Sequence, residues 1–253
     1  MKDLSISIVA YNNEEDVLTA VRSIEEHTPS FVSKDIYIID NGSKKNGLDE
    51  SLSEFPDVTY IPSKKNLGFG GGHNMVLDLL DSKYHAIVNP DIVHKKDAFS
   101  PLIDFMAKEG CGMAVPRILN EDGKLQAAYR LEPTPFDMFI RMFVKHGFKA
   151  RKAKHTMRDK DYSKPFEVPF AQGCFFLIKT DLFKELEGFD ERFFLYMEDA
   201  DLCKRVNQVD RLLYCPYVSV IHRWEKGSHK SLKLFSLHVS SMIKYFRKWK
   251  HVV

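Results

Sequence analysis

The first 116 residues alternate between two hydrophobic periods, and that alternation leaves few architectures open. Leu4, Ile6 and Ile8 alternate with Ser5 and Ser7 and run into Val9 and Ala10, the period-two pattern of a strand. Val17, Val21 and Ile24 then recur at helical spacing behind Glu14 and Glu15, acids that the helix dipole favours in a first turn. "DIYIID" at 35–40 reads as a second strand, "VTYI" at 58–61 as a third, "HAIVNPD" at 85–91 as a fourth and "CGMAVP" at 111–116 as a fifth. Val76, Leu79 and Leu80 predict a helix after a glycine-rich loop, and Phe99, Leu102, Ile103 and Met106 predict another. Strands separated by helices make crossover connections, so the expected fold class is α/β with a mostly parallel central sheet.

The second half is less periodic. "PTPFDMFIRMFVKHGF" at 133–148 mixes aromatics, methionines and bases, and the basic stretch after it reads as loop. "FEVPFAQGCFFLIK" is extended, "DLFKELEGFDERF" a helix and turn, and the acids of "FFLYMEDADLC" open another helix. "RLLYCPYVSVIH" is a last strand, and a terminal amphipathic helix begins near Leu232, carrying Leu234, Leu237 and Met242 with Lys244, Arg247, Lys248 and Lys250. With 44% hydrophobic and 28% charged residues among 253, wholesale disorder is excluded and one large domain is favoured. No apolar run reaches the ~18 residues of a membrane span, and no signal peptide is expected. Cys111, Cys174, Cys203 and Cys215 form no CxxC pair, so reduced thiols in a cytoplasmic protein are the expectation.

The formal charge of +2 conceals two basic blocks. Nine Lys/Arg lie from Arg141 to Lys164 against Asp159 and Asp161, and eight follow His222 against Glu225. Blocks of this kind call for an anionic partner or a solvated face. They contain no motif that reads a nucleic acid.

In a parallel α/β sheet, ligands bind beyond the carboxyl ends of the strands. The first strand ends there in Tyr11-Asn12-Asn13, the second in Asp40-Asn41-Gly42-Ser43 and the fourth in Asn89-Pro90-Asp91. Asp40 could accept hydrogen bonds from a nucleobase while Tyr11 stacks on it, or could merely cap its turn. Asn89 and Asp91 suit a hard cation held on phosphate oxygens, or simply end a strand at Pro90. "NLGFGGGHN" at 66–74 has four glycines between Gly68 and Gly72, which permits a backbone to approach a ligand, although it is neither a Walker loop nor a dinucleotide fingerprint. His222 closes the last strand and could complete a metal or diphosphate site. Among Glu198, Asp199 and Asp201, one carboxylate would suffice for a helix start, which leaves another for general-base work.

Taken in order, "IVAYN", "IIDNGS", "NLGFGGGHN", "VNPDI" and above all "GCFFLIKTDLFKELEGFDERFFLYMEDADLCKRV" resemble family 2 inverting glycosyltransferases of the GT-A fold. Within that family they look most like bacterial rhamnosyltransferases of O-antigen and other cell-surface polysaccharide synthesis. The resemblance implies that Tyr11, Asn12, Asp40, Asn41, Asn66, Gly68, Gly70, Asn74, Asn89 and Asp91 bind a nucleotide sugar. It makes Asp91 and His222 ligands of a divalent cation, Mg²⁺ or Mn²⁺. Asp199 becomes the catalytic base, with Glu198 and Trp224 on the acceptor side, while Asp201 is left as a first-turn acid supporting the helix. Asn89 stands where many relatives have the first Asp of a DxD motif, as is common in this branch.

The same resemblance implies a domain over 1–231, with a nucleotide-sugar half at 1–116 and an acceptor half at 117–231, followed by a basic helix at 232–253. The implied donor is dTDP-L-rhamnose or another dTDP- or UDP-sugar. The implied acceptor is a glycan on undecaprenyl diphosphate, and the basic blocks would meet an anionic membrane surface on its cytoplasmic face. The other classes considered are a nucleotidyltransferase or metal-dependent phosphoesterase, and a non-catalytic nucleotide-sugar-binding protein.

Overall fold

The computed structural model describes residues 1–44, 47–144, 146–223 and 232–250. The chain runs β1 (Lys2–Ala10), α1 (Glu14–His27), β2 (Lys34–Asp40), α2 (Leu48–Leu52), β3 (Val58–Pro62), α3 (Gly68–Asn74), β4 (Ser82–Val88), β5 (Ile92–Val93) and α4 (Phe99–Glu109). It continues through β6 (Met113–Leu119), β7 (Tyr129–Arg130), α5 (Pro135–Phe143), α6 (Lys149–His155), β8 (Phe166–Glu167), β9 (Phe170–Ala171) and β10 (Phe175–Lys179). The last elements are α7 (Thr180–Glu185), α8 (Glu198–Val209), β11 (Leu212–His222) and α9 (Leu232–Lys248).

The four early strands lie parallel in the order β3-β2-β1-β4. β10 then enters antiparallel between β4 and β6, β11 pairs parallel with β6, and β5 closes the edge antiparallel to β11. The sheet is therefore mixed, with its parallel register concentrated where the periodic first half of the chain lies. Leu4, Ile6, Ile8, Ile36 and Ile38 are fully buried in it.

Ser5 and Ser7, the polar half of the first alternation, are buried too, because β1 is an interior strand with both faces covered. Their hydroxyls find partners inside: Ser5 Oγ lies 2.8 Å from His85 Nδ1, and Ser7 Oγ lies 2.9 Å from His85 Nε2 and 2.7 Å from His73 Nδ1. Burial pushes His85 down to about 3 and His73 well below its usual value, so both stay neutral members of a hydrogen-bonded seam.

Three local expectations are corrected. The glycine-rich segment is itself the helix α3, and Leu77–Leu79 makes only a single 3₁₀ turn. A Cβ at Gly68, where φ is +80°, would lie 2.0 Å from the Phe194 carbonyl oxygen. Cβ atoms at Gly70 and Gly72 would meet Phe189 Cβ at 2.7 Å and the Val9 methyls at 2.9 Å. These glycines let a short helix seat against β1 and the 189–194 loop, so close packing alone requires them. The basic stretch expected as loop forms α6.

Asp201 does more than support a helix start. It is fully buried and binds Arg205 Nε at 2.8 Å, Lys248 Nζ at 2.6 Å and Trp249 Nε1 at 3.0 Å. Lys248 also reaches Asp190 at 2.8 Å, and Lys244 donates to the Arg192 carbonyl at 2.7 Å. Part of the terminal basic block is thus spent on fastening α9 to the domain through Tyr245 and Ser241, both buried. Among the described residues, no helix is long and apolar enough to cross a membrane.

Candidate active site

The carboxyl ends of β1 and β2 frame a cavity of about 570 Å³ lined by Ala10, Asn12, Asn13, Asp40, Ser43 and Leu48. Tyr11 stands exposed at its edge. Asn12 takes the left-handed conformation, φ 57°, and stitches two loops together: its N–H donates to Ser43 Oγ at 2.9 Å and its Oδ1 accepts from Lys44 N at 2.9 Å. Asp40 Oδ1 accepts from Ser43 N at 2.8 Å and Oδ2 from the Tyr60 hydroxyl at 2.8 Å. Its carboxylate is therefore fixed as a turn cap, and each oxygen keeps a lone pair for a ligand donor.

A second cavity of about 630 Å³ adjoins the first through Asn13 and Asp16 and is lined by Phe69, Asn89, Asp91 and Arg223 as well. The antiparallel pairing of Ile92 with His222 carries Asp91 to the end of β11. There His222 Nε2 approaches Asp91 Oδ1 to 3.3 Å without making a hydrogen bond. Gln126 grips the same histidine twice, accepting from Nδ1 at 2.9 Å and donating Nε2–H to the His222 carbonyl at 2.9 Å. That clamp places the Nε2 lone pair towards Asp91 when the ring is neutral. Burial disfavours a charged imidazole, but the Cys174 sulfur and the Asp91 carboxylate outweigh it and push His222 up to about 10.

Asn89 Oδ1, Asp91 Oδ1 and His222 Nε2 are all buried without a hydrogen-bond partner. An amide oxygen and a carboxylate oxygen from residues lining one cavity, with an imidazole nitrogen 3.3 Å from the carboxylate, fit a divalent cation that displaces the imidazole proton and is completed by phosphate oxygens and water. The protein offers few anionic ligands of its own: no group of three or more His, Cys, Asp or Glu that could hold a metal occurs among the described residues.

The candidate base lies at the start of α8. Tyr196 and Met197, with φ 69° and 71°, are two successive left-handed residues that swing the chain into the helix. Asp199 follows, its Oδ2 accepting from Gly173 N at 3.1 Å and its Oδ1 from Ala200 N at 2.8 Å. A Cβ on Gly173 would crowd Asp199 Cβ at 3.2 Å and the Phe69 ring at 3.3 Å, so the missing side chain lets the carboxylate sit beside the ring that lines the Asp91 cavity. Burial raises Asp199, while the two N–H groups, Arg130 and Arg141 pull it back. Burial and the Asp199 charge push Glu198 well above the ordinary carboxylate range, so of the pair Glu198 holds its proton longer.

Residues 5–187 match the model for glycosyl transferase family 2. The chain belongs to that family. This family 2 chain is 28% identical over 227 residues to the low-salt glycan biosynthesis hexosyltransferase Agl10 of Haloferax volcanii, covering 88% of this chain and 67% of the relative. It is 26% identical over 202 residues to the N-acetylglucosaminyl-diphospho-decaprenol L-rhamnosyltransferase of Mycobacterium tuberculosis, covering 74% and 66%. Both relatives are thus spanned over about two thirds of their length. The structure of GalNAc-T7 with UDP, GalNAc and Mn²⁺ superposes on 98% of this chain and 48% of its own, with a TM-score of 0.70 at 18% identity. That likeness gives the fold, which is GT-A.

Against the site expected from sequence, the family 2 chain brings Tyr11, Asn12, Asp40, Asn89, Asp91 and His222 to one edge, while Glu198 and Asp199 stand at the start of α8 with Asp199 held by Gly173. Three amides are otherwise engaged. Asn41 binds the Gly68 carbonyl and the Leu67 N–H, each at 2.8 Å, and Asn66 Oδ1 accepts from Gly68 N at 2.8 Å. Asn74 clamps Phe189 through both backbone groups, at 2.8 Å each. With Gly68 and Gly70 these residues hold α3 in place. Trp224 lies outside the described residues. Gln126 and Arg130 were missed, because a lone Gln and a lone Arg in "LQAAYR" carry no spacing signal and acquire roles only when β6, β7 and β11 assemble.

Proposed function

We propose that the chain is an inverting glycosyltransferase that moves L-rhamnose from dTDP-L-rhamnose to a hydroxyl of a glycan acceptor carried on a lipid diphosphate. The observation that carries the reading is the unsatisfied trio Asn89 Oδ1, Asp91 Oδ1 and His222 Nε2, two of them from residues that line a cavity with Phe69, a ring that closes on Gly173 together with Asp199. The base of the nucleotide is assigned to the cleft of Tyr11, Asn12 and Asp40, and its diphosphate to the edge of Asn89, Asp91 and His222. The rhamnosyl donor and the lipid-diphosphate acceptor are supported by the name of the mycobacterial relative.

Asp91 and His222, with Asn89 beside them, would hold the divalent cation, Mn²⁺ or Mg²⁺, which when bound neutralises the charge of a departing nucleoside diphosphate. Asp199 accepts the proton of the acceptor hydroxyl. The hydroxyl oxygen bonds to the anomeric carbon as the carbon–oxygen bond to the diphosphate breaks, and that electron pair leaves with the nucleotide. Attack from the opposite face inverts the anomeric centre. The burial that raises Asp199 makes it a stronger base than a solvated aspartate. No second carboxylate nucleophile is needed, because no glycosyl-enzyme intermediate forms.

The test is a thermal-shift panel of dTDP-, UDP- and GDP-sugars with and without Mn²⁺ or Mg²⁺, since a ligand that binds the native state raises the melting temperature. The largest shift is expected from dTDP-L-rhamnose with cation. No shift from any nucleotide sugar would overturn the reading.

A further inference from the structure

A third cavity, of about 590 Å³, opens between β7, α5 and α6. Its wall carries Arg130, Arg141, Lys149, Arg151, Lys152 and Arg158 against a single carboxylate, Asp137. That carboxylate is already held in a two-point pair by Arg151, at 2.6 and 3.1 Å. Arg130 is only 8% exposed, yet its guanidinium has one hydrogen bond, to the Ala127 carbonyl at 3.2 Å, and a cation–π contact with Phe170 at 5.5 Å. No carboxylate pairs with Arg130 or Arg141 among the described residues. A buried cation in no ion pair, offset only through space by the Asp199 charge, is expensive to maintain and marks a place where a ligand anion would be welcome. The excess is felt nearby: beyond burial and against Asp137, the charges of Arg130, Arg141 and Arg151 all hold the His155 imidazole down.

The cavity also borders the transfer site: β7 pairs Arg130 with Phe170 of β9, and Gly173, three residues further on, donates its N–H to Asp199. We propose that this basic cavity is an anion subsite for the diphosphate group of the acceptor, with Arg130 and Arg141 as its principal ligands. Guanidinium groups recognise phosphate oxygens through paired, directional N–H donors, and a diphosphate presents enough oxygens to engage both. A sugar attached to that diphosphate would then lie on the Asp199 side. Phe136, exposed and stacked under Arg151 with the guanidinium 4.8 Å from its ring, gives the rim an apolar face for an esterifying isoprenoid. The catalytic consequence rests on the glycosyl-transfer reading, whereas anion binding here does not.

The experiment is calorimetry on the full chain with the donor cleft saturated by dTDP and Mg²⁺, titrated with geranyl diphosphate, inorganic diphosphate and geraniol. One equivalent of geranyl diphosphate is expected to bind, geraniol is not, and both Arg130→Met and Arg141→Gln should weaken binding at least about tenfold. Arg141 is exposed, so its variant keeps the test informative if Arg130→Met fails to fold. Equal affinity for inorganic diphosphate would place recognition in the diphosphate alone, and weaker affinity would add the apolar rim. Binding that is absent, or undiminished in folded Arg141→Gln, overturns the proposal. Failure of dTDP itself to bind would instead count against the nucleotide-sugar reading.

Discussion

His222 Nε2 lies 3.3 Å from Asp91 Oδ1, and neither atom has a hydrogen bond. The two residues meet because β5 pairs with the end of β11, and Gln126 fixes the ring between them. With its pKa raised to about 10, His222 turns a protonated Nε2 towards the Asp91 carboxylate, so a cation bound there takes the place of that proton. That single relationship ties the sheet topology to the chemistry.

The Gln126 clamp makes the first prediction. Gln126→Ala frees the His222 ring to rotate, and loss of such a supporting contact costs about 10–100-fold in metal affinity. Mn²⁺ titration in the presence of dTDP should show the drop with the fold retained. Equal Mn²⁺ affinity in the variant would remove Gln126 from the site.

Glu198 should report itself through pH. Its folded-state pKa is raised, so between the unfolded value and the folded one the native protein binds the extra proton and loses stability as pH rises. Each pH unit of that window costs about 1.4 kcal/mol. Glu198→Gln mimics the protonated acid and escapes the loss, so its melting temperature should exceed that of the wild type at pH 8, with the gap closing towards pH 4. A gap that widened on acidification would show that Glu198 is ionised in the fold.

Two glycines with the same backbone sign separate packing from conformation. Gly68→Ala meets the Phe194 carbonyl at 2.0 Å, whereas Gly123→Ala, at φ +77°, meets nothing within 4 Å. The second should cost only about 1 kcal/mol of backbone strain. The first should cost several times that or prevent folding, as read by urea denaturation. Similar losses in both would mean that α3 does not seat on the 189–194 loop.

The buried hub at Asp201 predicts a large loss of stability. Asp201→Ala removes the fully buried carboxylate that Arg205, Lys248 and Trp249 share, leaving Lys248 to Asp190 and Arg205 to the Leu186 and Gly188 carbonyls, and breaking such a buried pair costs about 3–5 kcal/mol. The exposed pair of Asp122 with Lys124 at 2.8 Å should matter by less than about 1 kcal/mol. Thermal melts of Asp201→Ala and Asp122→Ala that coincide would contradict the packing of α9 on α8.

The sequence made the strands of the first half readable because Leu4, Ile6, Ile8 and the residues of "DIYIID" obey local periodicity. It could not reveal that Ser5 and Ser7 face inward, since their partners His73 and His85 come from other elements. Nor could it show that the glycines of 68–72 are needed for packing, since Gly68 and Gly70 owe that need to Phe194 and Phe189, far along the chain. Asp91, Asp199 and His222 stood out as acids and a histidine at element ends. Arg130 did not, because a buried charge is recognisable only once its surroundings are known.

The most direct test is the single-turnover rate of sugar transfer by Asp199→Asn from dTDP-L-rhamnose to a prenyl-diphosphate-linked glycan. Asn keeps one acceptor oxygen but turns an N–H group towards a backbone donor, so folding is checked alongside by dTDP calorimetry. Loss of general-base assistance predicts a rate reduced by about 10²–10⁴-fold with dTDP affinity unchanged. Transfer at the wild-type rate by the folded variant would contradict the assignment of Asp199 as the base.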